Sequence, residues 1–121
     1  DPFPVLRFDG TRWMQIFRLP RLGNYLPVGA DFGPDGRLYI LERQFLGLGG
    51  FSSRVRALKV PAAGETLQIE TVLETPPGLH DNLEGLAVWR DGTGAIRLTM
   101  VSDDNFAFFL RNEIVEYRLP Q

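Results

Sequence analysis

The feature that most constrains this chain is an internal repeat. The run Val28-Gly29-Ala30-Asp31-Phe32, a glycine-containing turn, and Leu38-Tyr39-Ile40-Leu41-Glu42-Arg43 form one unit. A second unit repeats the order: Glu84-Gly85-Leu86-Ala87-Val88-Trp89, a glycine-containing turn, then Ile96 to Asp103. Gly85 stands 56 residues after Gly29. Each unit is followed by an irregular stretch, 44–53 and 104–111, and then by a strand-like run ending in proline, Val60-Pro61 and Leu119-Pro120. A strand-built repeat of roughly 50 residues has the length of a four-stranded propeller blade.

The rest of the chain suits that reading. Short alternating or β-branched runs lie between glycines and prolines, which is the pattern of short strands joined by turns. Strands are expected at 5–8, 13–19, 28–32, 38–43, 54–60, 67–73, 83–89, 96–101 and 113–119. No run has a helical period. Label the strands of a blade A to D from the hub outward. The expected phase is then C-D for 1–20, A-B-C-D for 27–74 and A-B-C for 82–120. The fold class is thus all-β and propeller-like, about two and a half four-stranded antiparallel blades. Closing a ring takes about four blades or more. The chain is therefore expected to be a fragment of one propeller domain, residues 1–121, partnered by the remaining blades. A compact sandwich or barrel of about eight strands is the alternative.

Composition removes several function classes. The thirteen Lys and Arg residues are scattered and the net charge is −2, so neither a nucleic-acid footprint nor a basic membrane patch is expected. No apolar run nears the roughly 18 residues of a membrane helix. With no cysteine, disulfides and thiolate metal sites are excluded.

In an antiparallel meander, successive connections alternate between the two ends of the sheet. The A–B and C–D turns here are short. The D–A and B–C connections are longer and carry the polar residues, so any site belongs on their face, at the hub. There His80-Asp81-Asn82-Leu83-Glu84 enters the last inner strand and Ser102-Asp103-Asp104-Asn105 leaves its neighbour. Glu84, Asp103, Asp104, Asn105 and Asn82 together offer oxygen ligands for a hard divalent ion, Ca²⁺ or Mg²⁺. A metal-activated water suits ester or phosphoester hydrolysis. The plainer reading is that Asp81, Asp103 and Asp104 cap turns. Glu84 stands apart, because an unpaired carboxylate on a channel-lining strand is costly. His80, the chain's one histidine, is either a general base or simply solvated. Asp31 either adds a second hub carboxylate or pairs with Arg43, the favoured reading. Gly47 to Gly50 lacks the Lys-Ser/Thr of a phosphate loop and reads as a mobile rim. Phe106, Phe108 and Phe109 read as packing between blades. No Gly-x-Ser-x-Gly elbow is present, so a serine-hydrolase triad is not expected.

The strings Gly29 to Arg43, Asn82-Leu83-Glu84-Gly85-Leu86-Ala87-Val88-Trp89 and Leu98 to Phe106 resemble the phytase-like domain family, which is described as having esterase-like activity of phytase. The resemblance runs from about residue 26 onward and looks like the family's C-terminal part. It implies a bacterial, periplasmic or secreted propeller protein longer than this chain. It also implies a hub site built from the Asn-x-Glu-Gly and Ser-Asp-Asp-Asn strings. The expected activity is hydrolysis of phosphate or carboxylic esters, with Glu84, His80 and Asp31 as catalytic candidates and a small-molecule ester as substrate. The alternative is a non-catalytic propeller that binds a ligand or a partner protein.

Overall fold

The structure is a computed structural model that describes residues 1–103 and 112–121. Its nine strands are β1 (Phe3–Phe8), β2 (Trp13–Leu19), β3 (Leu26–Phe32), β4 (Leu38–Phe45), β5 (Phe51–Leu58), β6 (Ile69–Glu74), β7 (Leu83–Arg90), β8 (Ile96–Ser102) and β9 (Ile114–Arg118). They form three antiparallel sheets, ordered β1-β2, β3-β4-β5-β6 and β7-β8-β9. The architecture is all-β and propeller-like, and every expected strand is present. The one helical element among the described residues is a single 3-10 turn, Gly47–Gly49, where a mobile rim was expected.

Two layers of side chains hold the sheets face to face. Tyr39, Leu41, Val55 and Ala57 of the middle sheet pack on Leu83, Val88, Leu98 and Met100 of the last sheet. On its other face the middle sheet buries Ile40 and Leu58 against Leu19, flanked by Phe3, Val5 and Phe17 of the first sheet. The alternation along β4 therefore serves two cores, odd residues toward one neighbour and even residues toward the other.

The repeated glycine has a physical cause at its first occurrence. A Cβ on Gly29 would lie 2.7 Å from the carbonyl oxygen of Glu84, so only glycine lets β7 approach β3 this closely. Asp31 fastens the same junction. Its Oδ2 accepts a 2.7 Å hydrogen bond from the backbone N–H of Val88. The expected Asp31–Arg43 pair is thereby corrected: Arg43 reaches toward Glu84 instead, at 4.0 Å.

The tight turns lie at one end of the sheets, and aspartates organise three of them. Asp9, Asp35 and Asp91 each accept backbone N–H bonds from residues two to four positions on. The side chains of Asp35 and Asp91 also hold Arg37 and Arg97 at 2.9 and 2.7 Å. The 46–50 and 75–82 connections lie at the opposite end, and the β5–β6 connection, 59–68, lies at the tight-turn end and is longer than the short turn expected there.

The sequence pattern did not expose one buried charge cluster. Glu42 is fully buried, and Arg54 and Arg56 are buried beside it. Arg54 Nε and Arg56 Nε donate to Glu42 Oε1 at 2.9 and 2.8 Å, and Arg56 Nη2 donates to Oε2 at 2.6 Å. Arg54 Nη2 also donates to the Leu22 carbonyl, and its guanidinium lies 4.1 Å from the centre of the Tyr25 ring.

Candidate functional site

The site begins with a backbone irregularity found at matching places in two sheets. The β3–β4 register shifts between Pro27 and Gly29, and the β7–β8 register shifts between Leu83 and Gly85. A β-bulge leaves one residue out of the ladder and turns its side chain in a new direction. In the middle sheet that residue is Val28. In the last sheet it is Glu84.

Glu84 is partly exposed and joins two sheets. Its Oε1 accepts a 2.9 Å hydrogen bond from Asn82 Nδ2 and lies 4.0 Å from Arg43 Nη2. Arg43 comes from the end of β4 and lies 5.5 Å from the centre of the Phe51 ring. Asn82 is completely buried. Two atoms of the cluster are buried with no hydrogen-bond partner among the described residues: Arg43 Nε and Asn82 Oδ1. Such orphaned groups each cost about 1–3 kcal/mol and call for a specific reason.

His80 lies on the same face but joins a different group. Its Nε2 is 2.6 Å from the Tyr117 hydroxyl, and its Nδ1 is 3.6 Å from Glu113 Oε2. Nδ1 is buried and makes no hydrogen bond at that distance, and the hydrogen bond between Nε2 and the phenol can run in either direction, depending on the tautomer. Glu113 Oε1 accepts the backbone N–H of Asp81, which ties the 75–82 connection to the start of β9. Burial, reinforced by the Glu113 charge, raises the Tyr117 pKa. His80 is thus an engaged side chain, in contrast to the solvated alternative.

The expected site residues therefore fall into three groups. Glu84 and Asn82 meet, together with Arg43. His80 stands with Tyr117 and Glu113. Asp31 is held by the Val88 amide. The backbone N–H of Asp103 donates to the Asn82 carbonyl at 2.9 Å, so the two expected strings do meet through the backbone. Asp104 and Asn105, and the three expected packing residues Phe106, Phe108 and Phe109, lie outside the described residues. Arg43, Glu113 and Tyr117 were not singled out for the site. The clue available for Arg43 was its place near the end of the second strand of its blade, on the same face as Glu84.

Two of the five expected metal ligands, Asp104 and Asn105, lie outside the described residues, and Oε1 of Glu84 accepts from the Asn82 amide and faces the Arg43 guanidinium. Among the described residues, no group of three Asp, Glu, His or Cys side chains is close enough to hold a metal.

Beside this cluster is a cavity of about 610 Å³. Phe45, Leu48 and Phe51 line it together with the glycines of the 47–50 turn, and His80 and Asp81 close one side.

A family model described as Phytase-like, esterase-like activity of phytase, matches residues 1–106. The chain belongs to this family. The match begins at residue 1 and so takes in the first sheet, which the resemblance from about residue 26 left out. No curated protein and no solved structure matches the chain.

Proposed function

We propose that this phytase-like chain carries part of the active face of an ester hydrolase, centred on Glu84, Arg43 and Asn82. The observation that carries the reading is the bulge at Glu84. It sets a carboxylate against a guanidinium from the neighbouring sheet and leaves Arg43 Nε and Asn82 Oδ1 without partners. A folded protein bears that cost most readily at a site whose ligand or water completes the set.

The chemistry follows from the groups. The Glu84 carboxylate takes a proton from a water molecule, and the water oxygen adds to the ester carbonyl carbon or to phosphorus. The Arg43 guanidinium faces the oxygen on which negative charge develops. The bond to the leaving oxygen then breaks, and Glu84 returns its proton to the departing alkoxide.

The site is proposed to work with further blades of the same propeller. A groove of about 430 Å³ lies between β1 and β3, lined by Val5, Leu6, Val28, Ala30 and Ile40. At the other end Trp89, Val101 and Ile114 leave an exposed apolar face on the last sheet. At the junction between the middle and last sheets, the corresponding surfaces are covered by a neighbouring blade. The exported bacterial setting implied by the resemblance is kept with this reading.

The test is hydrolysis of chromogenic carboxylic and phosphate esters by the full-length protein. Glu84→Gln is expected to lower kcat by on the order of 10² or more, with binding largely kept. Activity untouched by Glu84→Gln would remove this site. Loss on chelation alone would move the chemistry to an ion. Absence of any ester hydrolysis, with tight capture of a ligand or partner, would leave the non-catalytic reading.

A further inference from the structure

The same face carries a feature that the hydrolytic reading does not use: the cavity of about 610 Å³ beside the Glu84 cluster. That volume lies within the roughly 300–1,000 Å³ of pockets that take small organic ligands. Its composition decides what kind. Phe45 and Phe51 meet with ring centres 5.0 Å apart, and Leu48 stands fully exposed at the rim on the 3-10 turn. The turn is fixed against the opposite wall, because a Cβ on Gly50 would already touch Gly78 Cα at 3.4 Å. Among the described residues, the charged or titratable groups of the lining are Asp81 and His80, with no lysine or arginine.

Charge then separates the two ester classes left open above. A polyphosphate brings several negative charges and needs several cations to replace its hydration. The described lining supplies neither lysine nor arginine for that task. A neutral, apolar group meets aromatic and aliphatic surface instead. Phe51 links the cavity to the chemistry: one ring both lines the cavity and carries the Arg43 guanidinium 5.5 Å from its centre.

We infer that the cavity between the 46–50 turn and the 77–81 connection receives the apolar acyl or aryl part of a neutral carboxylic ester, so that the substrate class is an apolar ester and not a polyphosphate. The inference rests on the hydrolytic reading for its catalytic half. The binding half stands by itself.

The experiment has two arms, both on the full-length protein. The first compares hydrolysis of 4-nitrophenyl acetate, 4-nitrophenyl hexanoate and inositol hexaphosphate by the wild type and Leu48→Glu. Leu48 is solvent-exposed, so the substitution leaves the fold intact. KM for the hexanoate is expected to rise about tenfold in Leu48→Glu, and KM for the acetate by much less. The second arm needs no catalysis. The non-hydrolysable 4-nitrophenyl hexyl ether is titrated while the His80 imidazole resonance, assigned with His80→Gln, is followed. A saturating shift, weakened at least fivefold in Leu48→Glu, is expected. If the ether moves the resonance but no ester is cleaved, the cavity assignment holds and the hydrolase reading falls. The inference is overturned if the ether leaves His80 unmoved, or if inositol hexaphosphate is the preferred substrate and Leu48→Glu leaves its KM unchanged.

Discussion

Two charged clusters lie on opposite faces of the middle sheet and are built on opposite principles. Glu42 with Arg54 and Arg56 is sealed, and all three side chains are at most 4% exposed. Both carboxylate oxygens are taken by short guanidinium hydrogen bonds, and Arg54 Nη2, 2.7 Å from Glu42 Oε1, also donates to the Leu22 carbonyl. Glu84 with Arg43 and Asn82 is open. Its ion contact is long at 4.0 Å, its side chains are about one-third exposed at Arg43 and Glu84, and two polar atoms go unmatched. A closed cluster leaves nothing for a ligand to bind, so it serves the fold. An open cluster held by rigid strands keeps unused hydrogen-bonding capacity, which is what a site needs.

The sharpest way to break this comparison is to remove one carboxylate from each cluster. Glu42→Gln leaves two buried guanidiniums without their counter-charge, and breaking a buried pair of this kind costs about 3–5 kcal/mol. Urea denaturation of the full-length protein is expected to show that loss. Glu84→Gln should change stability by less than about 1 kcal/mol, because exposed pairs contribute little. Equal losses in the two variants would erase the distinction between sealed and open clusters.

The two repeated glycines give a smaller effect of the same kind. Alanine at Gly29 drives its Cβ to 2.7 Å from a backbone carbonyl in the next sheet. Neither strand can yield without disturbing the core, so about 1–3 kcal/mol is expected to be lost. Alanine at Gly85 meets the Val101 side chain at 2.6 Å. Val101 is 43% exposed and has room to turn away, so Gly85→Ala should cost under about 1 kcal/mol. Thermal melts of the two variants side by side would show whether the repeat marks a packing need at both places.

The strand order was legible because the repeat and the turn glycines are local signals. Each expected strand is present, and the largest boundary errors fall where polarity misled. Phe51-Ser52-Ser53 reads as loop, yet it continues β5 because Phe51 pairs with Phe45 across the hairpin. Arg54 and Arg56 are buried although nothing local to β5 marks them for it. Their burial depends on Glu42 lying opposite Arg54 in the β4–β5 register, which is information that neither strand carries alone. The site was half legible. Glu84 stood out as a carboxylate on a channel strand. The pairing of Asp31 with a Val88 amide and of His80 with Tyr117 depends on how successive sheets and strands meet, and no local pattern records that.

The mildest test concerns the place where the two repeats agree. Asp35 and Asp91 occupy corresponding turns and each holds an arginine further along the chain. The pKa of Asp91 is lowered, first by the Thr93 hydroxyl and then by Arg97. A carboxylate whose folded-state pKa lies below its unfolded value stabilises the fold at pH values above the unfolded one, about 4 for aspartate. That contribution fades as the pH falls toward the lowered folded value. Asp91→Asn is therefore expected to melt a few degrees below the wild type at pH 7, with the gap closing progressively below about pH 4. The site itself should not notice, because these turns lie at the opposite end of the sheets from Glu84. If Asp91→Asn changed ester hydrolysis as much as it changed the melting temperature, the separation between a structural end and a chemical end of the sheets would fail. Shared residues of the repeat build the blades, and the proposed chemistry is assigned where the copies differ, at Glu84 in place of Val28.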